Sequence, residues 1–182
     1  MPSLVFLKTD YPNSMNNNID LNDITIRTDL KPGDIGFATW MHGALYSKEY
    51  NYSTSFEAYV AAGLYEFHKH YDPHLDRVWV AEHNGRTVGF LLLMHRENNA
   101  AQLRFFILEP EYRGIGLGRK LTMLFTDFLK AKGYNTCFLW TTDEQTTAAA
   151  IYKKMGFVLT DEVESVAFGK KLKEQRYEWV LG

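Results

Sequence analysis

The sequence has one cysteine, five prolines and no marked excess of charge of either sign. A lone Cys137 excludes an intrachain disulfide and any cysteine-based zinc cage built within one chain. Lys and Arg number 20 against 22 Asp and Glu, a formal net charge of −2. General affinity for nucleic-acid backbones depends on clustered positive charge, so no nucleic-acid partner is expected. The longest apolar run, Val88 to Met94 with Gly89 inside it, falls far short of the roughly 20 residues of a membrane-spanning helix. The opening Met1-Pro2-Ser3-Leu4-Val5-Phe6-Leu7-Lys8 lacks the basic region and longer apolar core of a secretory signal. These absences lead to the expectation of a soluble, cytoplasmic protein with no membrane partner.

Aromatic residues are what the chain has in quantity: 12 Phe, 11 Tyr and 4 Trp, 15% of 182 residues. That length is the size of one ordinary domain. Such a domain can bury most of those rings, so their number alone marks no ligand site.

Residues 1–20 read as a flexible lead-in, since Asn13 to Asn18 is nearly all Asn, Ser and Met, which favour turns and add little to a core. Residues 21–182 are expected to form one domain. Ile24 to Arg27 alternates as a strand. Phe37, Trp40, Met41, Ala44 and Leu45 recur at helical steps, as do Phe56, Val60, Leu64 and Phe67 behind a capping Ser53. Strands over Arg77–Glu82 and from Thr87 to about Glu97 flank Asn84-Gly85, a strong hairpin signal. Another strand covers Gln102 to Leu108. After Pro110 the period becomes helical, with Leu117, Leu121, Leu124, Phe125 and Phe128 on one side, and that helix closes at Lys132-Gly133. A strand at Thr136–Thr141, a short helix from Gln145 to Met155, and strands near Phe157–Phe168 and Arg176–Leu181 complete the chain. The order β-α-α-β-β-β-α-β-α-β-β describes an α/β domain with a mixed sheet.

The most informative segment is Leu103 to Arg119, in which a strand runs through Glu109-Pro110 into three glycines spaced by two and a long helix starts. Glycine permits positive φ and close backbone approach, so successive N–H groups can converge on an anion. The helix N-terminus adds partial positive charge and unpaired donors. Gly114 to Arg119 is therefore a candidate phosphate or pyrophosphate site; the competing reading is a turn that lets helix and strand pack. The spacing is neither the G-x-G-x-x-G of a dinucleotide fold nor a Walker loop.

Arg113-Gly114-Ile115-Gly116-Leu117-Gly118 resembles the Q/R-x-x-G-x-G/A signature of the GNAT (Gcn5-related) N-acetyltransferase superfamily. Ile151-Tyr152-Lys153-Lys154-Met155-Gly156-Phe157 is similar to the L-Y-x-x-x-G-F that ends that fold's last main helix. More narrowly, Pro32 to Gly36, His42 to Tyr50 and Phe138 to Asp143 resemble the acetyltransferase half of proteins fused to MarR-type regulators. A chain of this length has no room for the regulator, so its DNA-binding role is not expected here.

The resemblance implies a central, mostly antiparallel mixed sheet of six to seven strands flanked by about four helices, with strands 4 and 5 splayed to hold acetyl-CoA. It implies backbone contacts from Phe106, Ile107 and Leu108 to the pantetheine arm. The pyrophosphate would lie over Gly114, Ile115, Gly116, Leu117, Gly118 and Arg119, with Arg113 adding charge. Gln145 stands where the family often has a cofactor-contacting Asn, and Gln102 stands where some members carry a glutamate base. Tyr152 is the expected catalytic residue, whose hydroxyl would assist the leaving thiolate; packing beside Ile151 and Met155 is the other reading.

An amine must be neutral to attack, and His42, Glu49, His95, Glu97 and Asp143 are the candidate bases. His42, Tyr46 and Glu49, with Tyr50, sit at i,i+3 and i,i+4 spacings and could share one face toward the acceptor; an ordinary exposed helix face is the alternative. Trp140 is expected in the core. His68, His70 and His74 lack the partners of a metal site, and none is expected. The expected function is direct transfer of acetyl from acetyl-CoA to a primary amine of a small molecule or peptide, with a homodimer possible. The second reading is a non-catalytic acyl-CoA sensor.

Overall fold

The computed structural model describes residues 19–181; the expected lead-in, residues 1–20, lies almost wholly outside them. The elements are β1 (Thr25–Arg27), α1 (Asp34–Tyr50), α2 (Thr54–His70), β2 (Arg77–His83), β3 (Arg86–Arg96), β4 (Ala100–Leu108), α3 (Leu117–Ala131), β5 (Thr136–Thr142), α4 (Thr146–Met155), β6 (Val158–Ser165) and β7 (Leu172–Val180). The seven strands form one sheet in the order β1-β2-β3-β4-β5-β7-β6. Every pairing is antiparallel except β4 with β5. Four helices and a mixed sheet are what the patterning predicts, and its mostly antiparallel pairing is what the family resemblance implies. The terminal strands differ in bounds: β7 begins at Leu172, and Phe168 lies in the preceding turn, where it packs into the core.

Strand alternation divides the core in two. Val78, Val80, Phe90, Leu92 and Met94 face α1 and α2. Trp79, Ala81, Leu91 and Leu93 face α3 and α4, against Leu117, Leu121, Phe125 and Leu129. The central strands are thus buried on both faces and read as near-continuous apolar runs. The β2–β3 hairpin turns on Asn84 at φ 51° and Gly85 at φ 74°, the left-handed pair that a two-residue turn demands. The Ser53 hydroxyl accepts from the Ser55 N–H at 3.3 Å, capping α2 as predicted.

Two irregularities shape the centre of the sheet. β4 pairs with β5 only from Ala100↔Thr136 to Gln102↔Phe138; beyond that both strands continue unpaired with each other and diverge. On the other side of β4, pairing with β3 steps from Leu92↔Arg104 to Phe90↔Ile107. Phe105 and Phe106 therefore oppose the single Leu91, and Phe105 carries φ 54°. That is a bulge, which bends a strand and re-aims its side chains.

Candidate functional site

A cleft of about 670 Å³, open mouth included, opens where β4 and β5 part. It is reached from both layers of the fold: His42 and Tyr46 of α1 and Phe56 and Tyr59 of α2 from one side, Tyr152 of α4 from the other. Gln102 to Phe106 of β4 and Trp140 to Thr142 of β5 form its walls. A continuous sheet would keep α1 and α4 apart; the splay brings them to one cavity.

Tyr152 is 6% exposed and lines this cleft, its ring beside Phe157 and Tyr177. Burial alone pushes its phenol well above the ordinary value, with no hydrogen bond to offset it. The hydroxyl therefore stays protonated and is a donor. Tyr46 is raised too, first by burial and then by its proximity to Tyr152. The two hydroxyls converge on one cavity, although they are more than one hundred positions apart in the chain.

His42 is 2% exposed. Its Nδ1 lies 2.8 Å from the Ala38 carbonyl oxygen. A carbonyl only accepts, so Nδ1 carries the proton and Nε2 keeps a lone pair. Burial lowers its pKa to about 4, so the ring is neutral at physiological pH. Its ring stacks on Tyr46 at 5.8 Å and meets the edge of Phe105 at 5.7 Å. The predicted shared face of His42, Tyr46 and Tyr50 exists, but it is an aromatic cluster with Tyr52 and Phe56 rather than an exposed polar surface.

Glu49 does not join them. Its carboxylate pairs with Arg113 at 2.8 Å, and α1 is thereby tied to the glycine loop. Arg113 also donates from Nε to the Leu108 carbonyl at 3.2 Å, which occupies one of the backbone acceptors expected for a cofactor arm. Among the candidate bases, only His42 lines the cleft. Asp143 accepts from the Lys173 N–H, and His95 and Glu97 border a separate depression beside the paired ends of β4 and β5. Gln102 lines the cleft, its Oε1 accepting from Arg96 Nε at 2.9 Å. Gln145 is the N-cap of α4; its Oε1 accepts from the Thr141 hydroxyl at 2.9 Å while the residue borders the cleft.

The glycine loop has the geometry of an anion cradle. Gly114 and Gly116 adopt φ 82° and 95°, a region that favours glycine. Gly116 caps α3 with no side-chain hydrogen bond, so the first N–H groups of α3, from Leu117, Gly118 and Arg119, have no capping partner. Ile115 is half-buried, and the Leu117 side chain is wholly in the core, leaving only its backbone to offer. Arg119 is exposed. On β4, Phe106 and Ile107 lie past the last pair with β5, so their strand edge is open toward the cleft.

Sequence reasoning missed several parts of the site. Trp140 is not core: it is 39% exposed and lines the cleft. Tyr52 hydrogen-bonds Thr142 at 2.7 Å across the chain. Gly63 of α2 lets the Arg104 and Phe105 side chains of β4 reach the helix backbone. A Cβ placed on it would come within 2.5 Å of Arg104 Nη2 and Phe105 Cζ. A glycine mid-helix was the available signal, since it costs helix stability unless packing needs it. Among the described residues, no group of three His, Cys, Asp or Glu is placed to hold a metal, and no helix is long and apolar enough to cross a membrane.

Comparison with known proteins is consistent with this geometry. The model of the acetyltransferase (GNAT) family matches residues 41–157. Escherichia coli K12 YjgM, an uncharacterised N-acetyltransferase, is 30% identical over 100 residues, covering 47% of this chain and 60% of that protein. The spermidine N(1)-acetyltransferase of Thermoplasma acidophilum is 28% identical over 140 residues, covering 76% and 84%. The matched region spans 60% or less of the first curated relatives' own lengths. The yncA acetyltransferase of Salmonella typhimurium, solved with acetyl-CoA, superposes with a TM-score of 0.66 at 19% identity, over 88% of this chain and 95% of that one. At that identity the likeness is one of fold.

Proposed function

The chain belongs to the acetyltransferase (GNAT) family, and from that premise we propose that it transfers acetyl from acetyl-CoA directly to a primary amine. The observation that carries the proposal is the single cleft between β4 and β5, which has the uncapped, glycine-lined start of α3 beyond its β4 wall and a buried, protonated Tyr152 within it.

Acetyl-CoA would supply a thioester carbonyl at the cleft and a pyrophosphate at the loop. The N–H groups of Gly114 to Arg119 hold the diphosphate through the uncapped turn and the helix dipole. The open edge of β4 around Phe106 and Ile107 aligns the pantetheine arm and offers N–H donors where negative charge develops on the carbonyl oxygen. Tyr152 donates a hydrogen bond to the departing sulfur. A thiol is ordinarily more acidic than a phenol, so Tyr152 stabilises the thiolate without handing over its proton. His42, neutral with a lone pair on Nε2, accepts from the incoming amine and orients it beside Tyr46. A group titrating at about 4 is a poor match for removing an ammonium proton, so the amine proton leaves through water. Gln145 contacts the cofactor end of the cleft through its amide. Glu49 acts at one remove, by holding Arg113.

The test is release of free CoA thiol from acetyl-CoA across a broad amine panel, with acetyl-CoA affinity measured alongside by calorimetry. Acceptor-dependent release is expected. Tight acetyl-CoA binding with no release for any amine would replace the proposal with a non-catalytic acyl-CoA sensor. A homodimer, a cytoplasmic location and the narrower kinship with MarR-fused acetyltransferases belong to the same proposal. Light scattering of the purified chain tests the first of these.

A further inference from the structure

We propose that Arg104 sets acceptor specificity, selecting an amine that carries a carboxylate on an apolar or aromatic body. The inference rests on the acetyl-transfer reading of the same cleft.

Arg104 lies on β4 beside the bulge, its side chain 9% exposed, and it lines the cleft. Its Nη1 pairs with Glu66 of α2 at 3.1 Å and touches Met94 Sδ at 3.9 Å. The Nε and Nη2 atoms have no hydrogen-bond partner among the described residues. The neighbouring Arg96 differs. Its Nε, Nη1 and Nη2 reach Gln102, Glu66 and Met94 respectively. Two guanidinium groups thus share one carboxylate; each nitrogen of Arg96 has a partner, whereas two nitrogens of Arg104, the one that lines the cleft, have none among the described residues. Buried polar groups normally have partners, and a planar guanidinium presents paired donors matched to a carboxylate.

The donors are also held in place. The Arg104 guanidinium lies 4.5 Å from the Phe105 ring centroid and 5.4 Å from that of Tyr59, and Nη2 sits against Gly63. The remaining wall is apolar and aromatic, with Phe56, Phe106, Phe168 and Trp140. Among the described residues, Glu174 of β7 is the one carboxylate that lines the cleft, and it suits the single ammonium of an amino acid. A polyamine would set further cations against Arg104. An α-amino acid with a bulky apolar side chain satisfies all three features.

Matched acceptors test the inference: phenylalanine, phenylalanine amide, phenethylamine and spermidine. The expected kcat/KM for phenylalanine exceeds that for phenethylamine or the amide at least tenfold. Arg104→Gln should abolish the preference while acetyl-CoA affinity stays within twofold, and Arg104→Lys should retain part of it. Equal or better use of the uncharged pair or of spermidine would overturn the inference, as would an equal loss for all acceptors in Arg104→Gln. Calorimetry of the CoA complex with N-acetylphenylalanine and N-acetylphenethylamine reads the same preference without turnover. Absence of thiol release therefore counts against acetyl transfer alone, whereas equal binding of the two acetylated ligands counts against Arg104.

Discussion

Replacing Tyr152 by phenylalanine separates chemistry from folding unusually cleanly. The ring packs against Phe157 and Tyr177, and phenylalanine keeps those contacts. No hydrogen bond contributes to the perturbed titration of the hydroxyl, so its loss leaves no protein partner unsatisfied, and stability should change by less than about 0.5 kcal/mol. In turnover the hydroxyl meets a thiolate. A hydrogen bond to a charged group contributes about 1.5–3 kcal/mol, and 1.36 kcal/mol is tenfold in rate, so kcat should fall by roughly 10- to 150-fold. Acetyl-CoA affinity should hold, because the anion cradle lies at the start of α3. The assays are urea denaturation, calorimetry with acetyl-CoA, and thiol release at saturating acceptor. An unchanged kcat, with pre-steady-state kinetics showing chemistry to be rate-limiting, would refute the thiolate role. A loss of stability above about 1 kcal/mol would refute the claim that the hydroxyl is held ready for a ligand.

Gly63→Ala places a methyl group within 2.5 Å of Arg104 and Phe105; overpacking costs about 1–3 kcal/mol, and about 1 is returned as helix propensity, so a Tm drop of a few degrees and a raised acceptor KM are expected by calorimetry and kinetics. An unchanged acceptor KM would show that the α2–β4 approach does not shape the acceptor wall. Ser53→Ala removes the α2 cap and should cost about 1 kcal/mol, seen as a lower urea midpoint with kcat unaltered. His42 titrates at about 4 when folded and near 6.5 when unfolded, so between those values the unfolded chain binds more protons. Its contribution to stability is full above pH 6.5 and is lost as pH falls toward 4, a difference on the order of 3 kcal/mol. Urea midpoints measured from pH 7.5 to 4.5 should fall more steeply for the natural chain than for His42→Asn.

Local rules carried much of the reading and failed where tertiary contact decides. The α2 face of Phe56, Val60, Leu64 and Phe67, the Asn84-Gly85 turn and the glycine-led start of α3 follow from periodicity, turn chemistry and helix capping, and each is present. Glu49 sits on the same helix as His42 and Tyr46, yet an ion pair to Arg113 turns it to a different task. No spacing rule along α1 could reveal a partner on a distant loop. Trp140, at the end of a strand, was expected in the core, but β5 has lost its β4 neighbour by that point while keeping β7, and the ring meets the cleft. Arg104 drew no attention because one arginine in a strand has no sequence signature. Its significance comes from Gly63, Glu66 and Arg96 arriving around it.

The break in pairing between β4 and β5 also leaves a sheet edge in the middle of the fold. Exposed edges invite other strands, but this one is roofed by α1 and α2 on one face and by α4 on the other, so only something as thin as an extended arm can fill it. From Leu103 to Leu108, β4 pairs with β3 on one side, interrupted only by the bulge at Phe105 and Phe106, and pairs with no strand on the other. A ligand that fills the vacancy acts as a missing strand, and its binding energy becomes folding energy: about 2.7 kcal/mol at a hundredfold excess over Kd. For a domain of this size that corresponds to a Tm increase of roughly 5–11 °C. Added protection against hydrogen exchange should begin at Leu103 and stop short of the pairs at Ala100 to Gln102, where the sheet is already whole.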